Sequence, residues 1–239
     1  MVAQPSTGED SSQFVPKHVG YIIDGNRRWA KKHGLPTYEG HLAGYNAIKE
    51  VALETLSQGS RYMSAYIFST ENWQRSADEV KKLMTLVLRL LTTDLPEFTE
   101  HNVRLRIIGS RDMVDAKILK AIENAEAETA NNTGGDLVIC FNYGGQREIA
   151  DAVKKIVQSG VSADDITEEL IAQHLYAPDV PPVDLIVRTS GEQRISNFML
   201  WRAAYSELLF LKKPWPEMTK EDVGSIMKEY AKRQRRFGK

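Results

Sequence analysis

Five short, mostly apolar β-rich runs, at 19–23, 62–68, 103–108, 137–141 and 183–187, punctuate the chain. Between them lie segments whose apolar positions recur with helical period, centred on about 27–32, 41–58, 77–98, 116–131, 147–159, 163–174 and 220–235. That alternation predicts parallel strands joined by crossover helices. The expected fold is α/β, a single open, mostly parallel sheet flanked by helices. The third helical segment is unusually apolar. Leu83, Leu86, Val87, Leu90 and Leu91 share one face, with Met84, Leu88 and Leu95 beside them. Such a helix is either wedged between the sheet and a partner chain or lines an apolar ligand cavity.

The chain has 239 residues, enough for one sizeable core. Residues 1–17 read as a flexible N-terminal tail without an apolar leader, and 18–239 as a single domain. No run approaches bilayer-spanning length, so a soluble cytoplasmic protein is expected. The formal net charge of -1 implies no general attraction to nucleic acid or acidic membrane. Any anion site must therefore be built locally. Cys140 is the only cysteine, which excludes an internal disulfide and a thiolate metal cluster; within "LVIC" it reads as a buried small hydrophobe.

Local charge gathers where strands end. "IIDGNRRWA" places Asp24 at the carboxyl end of the first strand, the usual ligand-binding edge of open α/β sheets. Gly25 permits close backbone approach, and Arg28 offers bidentate contacts to phosphate oxygens. A carboxylate beside phosphate makes sense when a divalent cation sits between them; the plainer alternative is an Asx turn with solvated arginines. After the second strand, "FSTENWQRSADEV" crowds Ser69, Thr70, Glu71, Asn72, Trp73 and Arg75 together, while Ser76 and Glu79 fit a capping box. After the fifth, "VRTSGEQRISNFMLW" adds Arg188, Arg194 and Ser196. Together these segments supply enough donors for two diphosphates held side by side. Glu207 in "YSELLF" is either a satisfied core carboxylate or an acidic group near a metal. The phosphate loops of P-loop proteins, the dinucleotide fingerprint and zinc-hydrolase helices are absent from the sequence.

The series "DGNRRWA", "GHLAG", "FSTENWQR", "FNYGGQREI", "RTSGEQRISNFMLW" and "YSELLF", closing on Arg236-Phe237-Gly238, resembles the cis-prenyltransferases of undecaprenyl diphosphate synthase type. The resemblance covers about 18–238 and implies an apolar tunnel in the fold. It implies a homodimeric, Mg²⁺-dependent enzyme that joins isopentenyl diphosphate to an allylic prenyl diphosphate through a new cis double bond and releases pyrophosphate. On that pattern Asp24 holds the metal, while Gly25, Asn26, Arg27, Arg28, Trp29 and His41 surround the allylic diphosphate. Arg188, Arg194 and Ser196 match the isopentenyl diphosphate site. Asn72 and Ser69 match residues that assist proton removal, with Phe68, Trp73 and Arg75 positioning chain and loop. Glu207 matches a metal-associated glutamate across the dimer, and the partner copy's Arg236 and Gly238 complete the pocket. A transient membrane contact for product release, without a nucleic-acid partner, completes the expectation.

Three departures from the pattern bear on specificity. Thr37 stands where many members carry another diphosphate-binding arginine, and Arg27 stands where bacterial long-chain enzymes often carry glycine. Ile67 replaces the alanine frequent in long-chain enzymes, which implies a shorter product unless neighbouring residues shift the tunnel. Other classes predict different features. A non-catalytic partner subunit of the same fold tends to lose the metal aspartate and the substrate arginines, all present here. A diphosphate hydrolase or plain anion-binding protein gives the long apolar helix no use.

Overall fold

The computed structural model describes residues 15–233. Most of the expected 1–17 tail, as well as Arg236 and Gly238, lies outside the described residues. Six strands form one sheet in the order β3-β4-β2-β1-β5-β6, and every pairing is parallel. They are β1 (His18–Ile22), β2 (Tyr62–Ser69), β3 (Val103–Ile108), β4 (Gly135–Tyr143), β5 (Leu185–Arg188) and β6 (Glu207–Phe210). Helices α1 (Asn26–Lys32), α2 (Thr37–Ser57), α3 (Ala77–Leu91), α4 (Leu95–Glu100), α5 (Ala116–Glu128), α6 (Gly145–Gln158), α7 (Glu168–His174) and α8 (Lys220–Ala231) connect or follow them. All residues of β1 and β4 are buried. Their continuous apolar runs follow from a sheet covered on both faces. Alternate residues feed two cores. Tyr21 and Ile139 join a large one with α2, α3, α5 and α8, whereas Ile22 and Cys140 join a smaller one with Ile186 and Phe198.

Two expected helices are divided in the structure, and one strand was not expected. The 77–98 helix is interrupted at 92–94, because Pro96 supplies no backbone donor for a continuous ladder. The Thr92 hydroxyl bonds back to the Leu88 carbonyl at 2.8 Å, and Asp94 turns inward to accept the Tyr45 hydroxyl. The 163–174 segment divides into a 3-10 turn, Ala163–Asp165, and α7, whose start is capped by Thr167. The sixth strand was not expected: four half-exposed residues at a sheet edge carry too little periodic signal. "GHLAG" finds a packing explanation. A Cβ at Gly40 would lie 2.1 Å from the Asn26 carbonyl oxygen, and one at Gly44 would lie 2.4 Å from the Asn26 Oδ1, so the two glycines let α2 press against the start of α1.

His18 lies buried at the start of β1, its Nδ1 2.9 Å from the Pro181 carbonyl and its Nε2 2.7 Å from the Ser64 hydroxyl. A carbonyl can only accept, so Nδ1 carries the proton and the neutral ring is satisfied. Burial lowers its pKa from 6.5 to about 4. Between those values the unfolded chain binds the extra proton, so stability is lost as pH falls from about 6.5 towards 4, by up to ~3 kcal/mol. Urea denaturation at several pH values, compared with His18→Gln, should show a stability difference that shrinks on acidification. A pH-independent difference would contradict the assignment.

Candidate active site

The carboxyl ends of β1 and β2 open onto a cavity of about 830 Å³ walled by α1, α2 and α3. That size suits an elongated small-molecule ligand. Its mouth carries Asp24, Asn26, Arg27, Arg28, His41 and Arg75; deeper in, Ile48, Ile67, Leu83, Leu86, Val87 and Leu90 make the wall apolar. The face of α3 that sequence could assign either to packing or to a cavity therefore lines the cavity, while Leu86, Val87 and Leu90 also belong to the core. Ile67 and Phe68, consecutive in β2, both reach it. Regular pleating would send them to opposite faces, but the register with β4 jumps from Tyr66↔Cys140 to Phe68↔Phe141, leaving Ile67 as an extra residue.

Asp24 joins two arginines. Its Oδ2 accepts from Arg188 Nη2 at 2.9 Å, and its Oδ1 lies 3.2 Å from Arg28 Nη2. Burial raises the carboxyl's pKa, but Arg188 and Arg28 outweigh it and hold the group below its ordinary value, ionised at neutral pH. Gly25 adopts φ 112°, and a Cβ there would meet the Ser190 hydroxyl at 2.8 Å. Its absence lets the 189–191 backbone sit against the end of β1. Arg188 is buried and donates through Nη1 to the Arg194 carbonyl (2.6 Å) and the Ser196 hydroxyl (2.7 Å). Arg188, Arg194 and Ser196 thus come together on the other side of Asp24 from the cavity mouth. Trp29 lies on α1, half-buried, with its ring 4.4 Å from that of His33.

The loop after β2 is a 3-10 turn, Thr70–Gln74, closed by a capping box between Ser69 and Asn72; the Ser69 amide donates to Asn72 Oδ1 at 3.0 Å. The expected box at Ser76 and Glu79 is only half made. Ser76 Oγ accepts the Glu79 amide, but the Glu79 carboxylate turns away to His41 Nε2 and Arg75 Nη1, each at 3.0 Å. Trp73 packs on Phe68 and donates its indole N–H to Asn142 Oδ1 at 2.8 Å, so it supports the cavity wall from behind.

Two carboxylates of this rim were not singled out as ligand-site residues in the sequence. Glu79 faces His41, Arg75 and, at 4.0 Å, Arg27. Burial disfavours its ionised form, yet His41 and the arginines hold its pKa below the ordinary value; burial likewise lowers that of His41. Glu192 accepts from Arg28 at 2.7 Å and from Arg194 at 2.6 Å, bridging the two sides of Asp24. The signal for Glu79 was its place four residues after Arg75, and for Glu192 its place between Arg188 and Arg194.

Glu207 is not brought near Asp24 within the chain. It begins edge strand β6, level with Leu185, three register steps before Arg188, and pairs with Arg233 at 2.9 Å. Among the described residues no set of three or more His, Cys, Asp or Glu side chains is arranged to hold a metal ion. No helix among the described residues is long and apolar enough to cross a membrane.

Fold and rim together define a class, an α/β protein with a cavity that is basic at its mouth and apolar along α3. The comparisons with known proteins are specific. Residues 22–238 match the family model described as "Putative undecaprenyl diphosphate synthase". An isoprenyl transferase of Thermotoga maritima is 46% identical over 226 residues, covering 94% of this chain and 97% of the relative. The crystal structure of lavandulyl diphosphate synthase from Lavandula x intermedia, in complex with dimethylallyl diphosphate, superposes with a TM-score of 0.91 at 32% identity, covering 95% of this chain and 100% of that one. A probable undecaprenyl diphosphate synthase from Campylobacter jejuni gives a TM-score of 0.80 at 30% identity, covering 94% and 99%. The chain belongs to the undecaprenyl diphosphate synthase family of prenyltransferases.

Proposed function

We propose that the protein is a Mg²⁺-dependent cis-prenyltransferase that condenses isopentenyl diphosphate with an allylic prenyl diphosphate. The observation that carries this reading is the cavity whose mouth joins Asp24 to arginines and whose depth is the apolar face of α3. The allylic diphosphate is placed at Arg27, Arg28 and His41, with its chain along α3. Isopentenyl diphosphate is placed at Arg188, Arg194 and Ser196, which the Asp24–Arg188 contact sets beside the first site.

An Asp24-centred Mg²⁺ fits the donor set. Asp24 is ionised, and the buried Asn26 Oδ1 has no hydrogen-bond partner. Mg²⁺ commonly takes one or two carboxylates together with substrate phosphate oxygens. The ion would neutralise charge developing on the leaving diphosphate. The chain's own groups do the rest. Arg27 and Arg28 stabilise the departing oxygens, and Arg188 and Arg194 fix the second diphosphate so that its double bond meets the allylic carbon. Glu79 and Glu192 hold these arginines in place before substrate arrives. Asn72, oriented by Ser69, stands near the proton that must leave, while Phe68, Trp73 and Arg75 shape the wall and loop.

The reading takes the enzyme as a homodimer in which Glu207, Arg236 and Gly238 serve the partner's site. In support, Glu207 heads an edge strand beside the exposed Tyr205 and Leu208, a surface suited to a second copy. We place the single domain, 18–239, in the cytoplasm, where it meets a membrane only transiently to release product. Ile67, on its bulge, narrows the apolar wall and shortens the product. Ile67→Ala should move the product ladder upward by at least one isoprene unit; an unchanged ladder would remove Ile67 as a length determinant.

The test is incubation with Mg²⁺, labelled isopentenyl diphosphate and, separately, dimethylallyl, geranyl, farnesyl and geranylgeranyl diphosphates, followed by chromatography of extracted products. Condensation that disappears with chelator is expected. No product from any donor would overturn the proposal.

A further inference from the structure

The loop after β5 carries Arg194 and Ser196 yet contains no regular element. Four of its non-glycine residues have positive φ: Ser190 (73°), Ser196 (47°), Asn197 (64°) and Met199 (43°). Such conformations cost free energy and persist only where the surroundings impose them. Asn197 supplies much of that restraint. Its carbonyl accepts the Gly145 amide at 2.7 Å, its Oδ1 accepts the Gln146 amide at 2.8 Å, and its Nδ2 donates to Glu71 Oε1 at 3.1 Å. Gly144 and Gly145 leave room for the approach. A Cβ on Gly144 would stand 2.7 Å from Thr70 Oγ1 and 2.8 Å from Asn197 Nδ2, and one on Gly145 would stand 2.7 Å from Leu200 Cγ.

Three segments therefore meet at one amide. The first two bonds anchor Ser196 and its neighbours to the start of α6, a rigid element. The third reaches the 3-10 turn that carries Asn72 and leads into Arg75. Asparagine tolerates left-handed backbone better than other side chains that could make these bonds. Ser196 is next in sequence, and its hydroxyl is a ligand of Arg188, which touches Asp24. A displaced Asn197 would move the Ser196–Arg188 pair directly and the Asn72 turn through Glu71.

We propose that Asn197 is a positioning residue, the point at which the isopentenyl diphosphate loop is held in register with the Ser69–Arg75 loop through the Asn197–Glu71 bond. The inference rests on the functional reading above. Its prediction concerns KM for isopentenyl diphosphate, because Asn197 orients the groups assigned to that substrate and touches none of the reacting atoms.

Asn197→Asp keeps size and the Oδ1 acceptor but sets a second carboxylate against Glu71. It should raise KM for isopentenyl diphosphate roughly tenfold while KM for the allylic donor changes less. Adding Glu71→Gln restores a donor and acceptor in reversed order and should bring KM back to within about threefold of wild type. Asn197→Gly, which retains positive φ without strain, tests the same point should the aspartate variant fold poorly, and the second substitution should not rescue it. An unchanged KM in these variants, or no rescue in the charge-swapped pair, would overturn the positioning role while wild-type condensation left the functional reading standing. Wild-type protein without condensation would overturn both.

Discussion

Asp24→Ala is expected to cut condensation by roughly a thousandfold while the protein remains folded. Asp24 is where the two halves of the site touch: one oxygen faces Arg188 and the other Arg28. Its removal takes away the proposed metal carboxylate and the contact that sets the two diphosphate positions side by side. The side chain is 28% exposed, so solvent screens much of the energy of its ion pairs. Arg188 also keeps the Arg194 carbonyl and the Ser196 hydroxyl. Asp24→Asn separates charge from shape and should be nearly as inactive. Its depressed pKa means that the Asp24 contribution to stability is present above the unfolded carboxylate pKa and is lost as pH falls through the lower folded value. Near-normal turnover in either variant, measured beside thermal melting, would contradict the role given to this carboxylate.

The largest expected loss of stability lies on the other face of the sheet. Arg202 and Glu148 form an ion pair at 2.7 Å, with side chains only 3% and 1% exposed. Arg202 also donates to the carbonyls of Val180, Tyr176 and Ala177, and Glu148 accepts from the Tyr143 hydroxyl and the Tyr176 amide. The pair thus fastens the 176–180 loop beneath the segment that follows Asn197. Arg202→Ala leaves Glu148 buried without a countercharge and should cost about 3–5 kcal/mol, a large share of a typical domain's 5–15. Replacing both by methionine should recover part of that loss, since no lone charge remains. Urea denaturation decides; a loss below about 1 kcal/mol would show that the buried pair is not a determinant of stability.

The sheet was legible because its central strands are covered on both faces and write largely apolar runs, as in 137–141. Edge strand β6 was not, for half-exposed residues such as Leu208 leave no such run. Pro96 marked a break that the strong apolar face of α3 concealed. In the site, the motif carriers Asp24, Arg28, Arg188, Arg194 and Ser196 converge as their places at strand ends imply. Partnerships were less readable. Glu79 looked like a helix cap, and only the folded chain turns it to His41 and Arg75. The bulge at Ile67 depends on pairing with β4, which no local pattern records. Glu207 illustrates a different limit, since its expected role concerns a second copy and its neighbours within one chain do not include Asp24.

One measurement separates prenyl transfer from simple diphosphate cleavage: pyrophosphate release and isopentenyl diphosphate consumption in the same reaction, with NMR of the isolated product. One pyrophosphate per isopentenyl unit consumed, and a cis geometry at each newly formed double bond, is the predicted result. Phosphate or pyrophosphate released without carbon–carbon bond formation, or a product whose new double bonds are trans, would contradict it.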